Sequence, residues 1–116
     1  MLFFCSFLLG GCGGETRPKA DSESSSSSSE KIRLVVTTTQ LYDLAQRLTG
    51  DRFSVTSLMG PGVDPHIYKP SSRDILALSK ANLVVYHGMH LEGRLAEALS
   101  HSEENGISTF NATGSL

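Results

Sequence analysis

Apolar positions in this chain switch repeatedly between short β-branched runs and helical spacings. Ile32-Arg33-Leu34-Val35-Val36-Thr37 is a compact apolar run suited to a strand buried on both faces. Leu41, Leu44, Ala45 and Leu48 then recur at helical spacing; Thr38 or Thr39 is placed to cap the start, and Gly50 to end the helix in the left-handed conformation. Phe53, Val55 and Ser57 alternate with Ser54, Thr56 and Leu58, which predicts a second strand. Ser71-Ser72-Arg73-Asp74 has the form of a capping box, with Asp74 reaching back to the helix start. Ile75, Leu78 and Ala81, with Leu76 alongside, give that helix its apolar face. Leu83-Val84-Val85-Tyr86 predicts a third strand and His87-Gly88-Met89-His90 its exit loop. Leu91, Leu95, Ala98 and Leu99 mark a third helix running to about Glu104, with Gly106 as its stop, and Ile107 to Phe110 fits a fourth strand. The order β-α-β-α-β-α-β predicts an α/β fold, a parallel sheet with helices on both sides.

Two segments stand outside that pattern. Met1 to Gly11 is apolar and ends in small residues before Cys12. It is too short to span a bilayer, which takes about 20 apolar residues, and it fits the h-region of a secretory signal. Leu9-Gly10-Gly11-Cys12 resembles the bacterial lipobox, in which the cysteine takes a diacylglycerol and becomes the mature N-terminus. No Lys or Arg precedes the apolar run, so either the true start lies upstream or export is inefficient. Residues 13–30 carry the unbroken run Ser24 to Ser29 and almost no apolar side chains. Such a segment cannot bury enough surface to offset its ordering entropy, and reads as a flexible tether. The chain therefore divides into a lipoprotein signal (1–12), a linker (13–30) and a folded part (31–116) that is near the lower size for an independent core.

Composition removes several function classes. Cys5 and Cys12 are the two cysteines, both inside the signal segment, so the folded part has no disulfide framework. The formal net charge of −2, without a basic patch, gives no case for nucleic acid. No G-x-S-x-G elbow, P-loop or G-x-G-x-x-G appears, so the enzyme reading is weak.

What remains is imidazole chemistry. Gly60-Pro61-Gly62-Val63-Asp64-Pro65-His66-Ile67-Tyr68-Lys69-Pro70 holds one histidine in a loop stiffened by three prolines, with glycines where other residues cannot turn. Neutral imidazole is the commonest protein metal ligand, and a loop built to hold one His fits that role; the ordinary alternative is a loop His that caps a nearby helix. His66 and the His87–His90 loop both follow strands, so they share the carboxyl edge of the sheet, where open α/β folds bind ligands. A Zn²⁺ or Mn²⁺ cage takes about four N or O ligands, and His87, His90, Asp64 and Glu92 are possible company for His66. His87-x-x-His90 fits two imidazoles on one helical turn, against the plainer reading that both face solvent or cap the third helix. Asp64 before Pro65 suits a turn hydrogen bond; as an orienter of the His66 ring it is poorly placed across a proline. Glu92 suits the positive end of a helix, and His101, among Ser100, Ser102 and Glu103, is expected to be solvated.

Taken together, Val35-Val36-Thr37-Thr38, Leu58 to Tyr68 with Pro70 and Asp74, Ala81 to Tyr86, and Gly88-Met89-His90-Leu91-Glu92 resemble the metal-binding solute-binding proteins of bacterial zinc and manganese ABC importers, including surface lipoproteins once called adhesins. The resemblance runs from about Ile32 to about Phe110, and Gly-x-Asp-Pro-His-x-Tyr is its most specific part. It implies a two-lobe α/β binding protein with a long connecting helix, a Zn²⁺ or Mn²⁺ cargo held between the lobes, an ABC permease as partner and a lipid anchor on the membrane. It makes His66 the first metal ligand, with Asp64 and Tyr68 shaping the loop, and lowers the odds of a further site at His87, where the family usually has Asn. Family members are much longer, and their later ligands (a second His, a His or Glu, and an Asp) come from segments beyond Leu116. The chain is thus expected to be a fragment or truncated product carrying part of the first lobe, with no tight metal site of its own. A surface-displayed adhesion or interaction module without metal is the other function class left open.

Overall fold

The computed structural model describes residues 29–114. The expected signal segment with Cys12 and nearly all of the expected tether lie outside the described residues. Seven main elements follow in order: β1 (Ile32–Val36), α1 (Thr39–Thr49), β2 (Phe53–Ser57), α2 (Ser72–Ser79), β3 (Leu83–Tyr86), α3 (Ala96–Glu104) and β4 (Ser108–Asn111), with short 3-10 turns at Gly50–Arg52 and Gly93–Leu95.

The four strands form one sheet in the order β2-β1-β3-β4, and every pairing is parallel. Residue alternation along the strands divides the core in two. Val35 and Val84 face α2 and α3, meeting Leu78, Leu95 and Leu99 together with Leu58 and Met59. Leu34 and Val36 face the other way, toward Leu41, with Tyr42, Ala45, Phe53, Val55, Leu83 and Val85 packed around them. Helices therefore cover both faces, as the β-α alternation predicts. Edge strand β2 shows the expected alternation: Phe53, Val55 and Ser57 are partly buried, Ser54 and Thr56 exposed.

The ends of the helices are built largely as their residue types direct. Thr38 caps α1, its Oγ1 accepting from the Leu41 N–H. Ser71 and Asp74 make the reciprocal capping box of α2. Gly50 does close α1 with positive φ (53°), but its ψ of −134° lies outside the left-handed helical well, and the chain passes directly into a 3-10 turn.

Some expected apolar faces are only partly covered. Leu41 is buried, whereas Leu44 and Leu48 on the same stripe remain exposed, as does Phe110 on that side of the sheet. α1 lies over β1 and β2, leaving a shallow apolar groove of about 220 Å³ beside β3 and β4, lined in part by these three residues. On α2, Leu78 carries the packing, and Ile75 and Leu76 are largely exposed. The third helix begins at Ala96 rather than at Leu91: Leu91 and Glu92 lie in a turn, and Gly93–Leu95 form a 3-10 turn that leads directly into it.

Candidate metal-ligand loop at the carboxyl edge

In a parallel sheet all carboxyl ends lie along one edge. Here the chain leaves β1 toward β2 on one side and leaves β3 toward β4 on the other, so β1 and β3 flank a topological switch point, the place where open α/β sheets leave a crevice. Thr37 and Thr38 follow β1 at this point; His87 and Gly88 follow β3. Glu92 fills the crevice between them. It is buried (3% exposed), and its carboxylate accepts from Thr37 Oγ1 (2.8 Å), the His87 N–H (2.6 Å) and the Gly88 N–H (3.1 Å). A buried carboxylate is tolerable when it is hydrogen-bonded in this way. Glu92 does stand at the N-terminal end of the 3-10 turn that leads into α3, as expected, but its side chain makes no capping bond there and instead ties two strand ends together. The sequence gives little sign of it beyond a Glu five residues after a strand end and next to a glycine.

The loop leaving β2 brings His66 to this edge. Leu58 and Met59 extend the β2 pairing through N–H bonds to the Val36 and Thr37 carbonyls (2.9 and 3.0 Å). Gly60-Pro61-Gly62-Val63 then turns, with Val63 N–H donating to the Gly60 carbonyl (3.3 Å) and Gly62 at φ 77°. Proline at the second position and positive φ at the third are the demands of a type II turn, and these residues meet both. Past Pro65, Asp64 Oδ1 accepts from the His66 backbone N–H (2.9 Å) and lies 3.0 Å from the ring Nδ1.

The second of those contacts corrects the sequence expectation that Asp64 is poorly placed to orient the ring. The Asx-type turn that accepts the His66 N–H also brings the carboxylate to the ring. A carboxylate can only accept, so the neutral imidazole carries its proton on Nδ1 and leaves a lone pair on Nε2. The ring is largely exposed, with 64% of its side-chain surface accessible. Asp64 ionises more readily than an ordinary Asp because the His66 backbone N–H, and then its ring, stabilise the carboxylate.

Downstream, Tyr68 and Asp74 fasten the loop to α2. Asp74 Oδ2 accepts from Tyr68 Oη, the Ser71 N–H and Ser71 Oγ, each at 2.7 Å. Tyr68 Oη also lies 3.0 Å from the Leu58 carbonyl, back at the loop's beginning. Burial pushes the Asp74 carboxyl up, but the hydrogen bonds from Ser71 and Tyr68 outweigh it and leave the pKa lowered. The Tyr68 phenol is pushed up to about 12, first by burial and then by the bond to Asp74.

The remaining histidines do not gather around His66. His87 Nε2 is 2.9 Å from Thr38 Oγ1, bridging β3 to the cap of α1, so it neither faces solvent freely nor caps α3. His90 is exposed with φ 61°, and the left-handed backbone removes the helical turn that would have aligned it with His87. His101 is on the surface of α3, as expected. Among the described residues no group of three or more His, Cys, Asp or Glu side chains is arranged to hold a metal ion.

Residues 34–115 match the family model described as zinc-uptake complex component A, periplasmic. The chain is 41% identical over 98 residues to the manganese-binding lipoprotein MntA of Bacillus subtilis, an alignment covering 84% of this chain and 30% of that protein. It is 39% identical over 69 residues to the manganese ABC transporter substrate-binding lipoprotein PsaA of Streptococcus pneumoniae, covering 60% of this chain and 22% of that one. Among solved structures, the periplasmic zinc-binding protein TroA of Treponema pallidum shares the fold with a TM-score of 0.66 at 31% identity, over 69% of this chain and 28% of that chain. The chain thus spans less than a third of the length of these relatives, the fraction expected of part of one lobe. With the family model matching well over half of its residues, the chain belongs to the ZnuA family of metal ABC transporter substrate-binding proteins, which are binding proteins and not enzymes.

Proposed function

We propose that this chain supplies the first metal ligand of an extracytoplasmic solute-binding protein that carries Zn²⁺ or Mn²⁺ to an ABC permease. His66 binds the ion through Nε2, Asp64 holds the ring in the required tautomer, and Tyr68 fixes the loop to α2. Cys12 carries the lipid that keeps the protein at the membrane, and residues 13–30 let the folded part move above it.

The observation that carries the reading is the Asp64–His66 pair. An exposed imidazole has no structural need for a carboxylate on Nδ1, whereas a metal ligand does: the partner fixes ring orientation and raises the basicity of Nε2. The loop's position beside the β1/β3 switch point adds support, as do the zinc and manganese proteins among the relatives. Zn²⁺ and Mn²⁺ are separated by the softness of the remaining donors, and among the described residues no group of three or more candidate ligands gathers to make that choice.

One imidazole cannot replace an ion's water shell, so the 116-residue chain should bind weakly. Calorimetry with Zn²⁺ should show no tight 1:1 site. Paramagnetic Mn²⁺ should nevertheless broaden the His66 ring resonances at low concentration, and His66→Ala should abolish that site. Tight stoichiometric Zn²⁺ binding that survives His66→Ala and is lost with His87 and His90 would overturn the assignment.

A further inference from the structure

We propose that Gly93 is a positioning residue for His66: it is the surface against which the His66 main chain rests, and the buried Glu92 carboxylate fixes where that surface lies. The inference rests on His66 being the metal ligand and adds a second support to the one Asp64 provides.

A Cβ added to Gly93 would stand 2.7 Å from the His66 carbonyl oxygen, 3.5 Å from its carbonyl carbon and 3.7 Å from its Cα. All three nearest atoms belong to the backbone of this one residue. Backbone cannot swing aside as a side chain tip can, so any residue but glycine must displace His66 or be displaced by it. Conformation is not the reason for glycine here. Among the described residues the glycines with positive φ are Gly50, Gly62, Gly88 and Gly106, and Gly93 is not one of them. Space is the requirement, and it is set by the close approach of two loops that leave different strands.

Gly93 has little freedom to retreat. Its neighbour Glu92 is held by three donors from the ends of β1 and β3. The Glu92 carbonyl also accepts from the Leu95 and Ala96 N–H groups (2.7 and 3.2 Å), which starts the 3-10 turn and α3. The chain reaches this position through Gly88, Met89 and His90 at φ 86°, 52° and 61°. Two non-glycine residues in succession in the left-handed region carry strain, which persists only where the surroundings over-determine it. The Glu92 bonds to Thr37, His87 and Gly88 are such surroundings. The imidazole is thus located at two points, its ring by Asp64 and its main chain by Gly93. The buried Glu92 carboxylate, bonded to hydroxyl and backbone donors, thereby acquires a role: it aligns the metal-ligand loop with the switch point.

The test compares the full chain with Gly93→Ala, using ¹⁵N shifts of the His66 ring to read the tautomer and Mn²⁺ broadening to read ion contact, with thermal unfolding as the measure of folding. Folded Gly93→Ala is expected to lose the predominance of the Nδ1–H tautomer and to need about tenfold more Mn²⁺ for half-broadening, the lower end of the usual loss for a supporting contact. A purely structural glycine would move the unfolding midpoint and leave both ring signatures alone. A folded Gly93→Ala with wild-type tautomer and Mn²⁺ response overturns the proposal. If Gly93→Ala does not fold, Glu92→Gln decides, since it puts an amide donor against one of the donors at the crevice; unchanged His66 signatures there overturn the proposal, and altered ones support it. Failure of the ligand reading looks different: wild-type His66 would ignore Mn²⁺, while the tautomer comparison would still report whether Gly93 positions the ring.

Discussion

Asp64 shows how one carboxylate can do two jobs. Its Oδ1 closes the turn on the His66 N–H and sits on the ring Nδ1. Its ionisation is favoured first by the backbone bond and then by the ring, and the folded pKa lies below the ordinary 3.8. The sign follows: the contribution of the ionised carboxylate is complete above 3.8 and is lost as pH falls through the lower folded value. Asp64→Ala removes both bonds and should weaken the Mn²⁺ response of His66 by about 10- to 100-fold at neutral pH. Asp64→Asn keeps an acceptor oxygen and should lose less. Equal Mn²⁺ half-broadening in wild type and Asp64→Ala would show that the ring needs no orienter. The His66 loop itself was legible from its prolines, glycines and Asx position. The Asp64–ring contact was not, because it depends on the backbone path through Pro65, which residue spacing does not report.

At the scale of elements, the β-α order, the capping box and the parallel sheet could be read from periodicity. Burial within each helix could not. Leu44 and Leu48 continue the stripe begun by Leu41, yet only Leu41 lies over the sheet; a 3.6-residue period marks a face without saying how much of it has a partner. Glu92 escaped for the opposite reason, since its partners are backbone and hydroxyl donors from two strands that topology alone brings together. The tie between loop and α2 gives a test at this scale. Tyr68 is raised to about 12, by burial and then by Asp74, so its contribution is present in full below the ordinary tyrosine value of 10 and is lost as pH rises from there through 12. An ultraviolet titration of tyrosinate should contain one late step near 12, missing in Tyr68→Phe, and the wild-type advantage in thermal stability over that variant should shrink across the same interval. A Tyr68→Phe profile that retains the late step would assign it to another tyrosine and remove the alkaline weak point from this loop.

For the molecule as a whole, the proposal to test is attachment to a membrane through Cys12. No helix among the described residues is long and apolar enough to cross one. The relatives MntA and PsaA are named as lipoproteins, and Cys12 follows an apolar run and two glycines, the place where a lipobox cysteine stands. Each buried methylene contributes about 0.8 kcal/mol, and stable anchoring takes two acyl chains or one chain with a second signal. A diacylglycerol on Cys12 meets that demand by itself, which matters because the chain carries a net charge of −2 and no basic patch to assist at an anionic surface. Cys12→Ser, expressed in a bacterium that processes lipoproteins, should therefore move the chain from the membrane to the soluble fraction, or leave it as an unprocessed precursor of higher mass. Cys5→Ser should change neither, since Cys5 lies within the apolar run. If the Cys12→Ser protein fractionates and migrates like wild type, the assignment of the lipid to Cys12 fails, and the proposed tether role of residues 13–30 loses its anchor point.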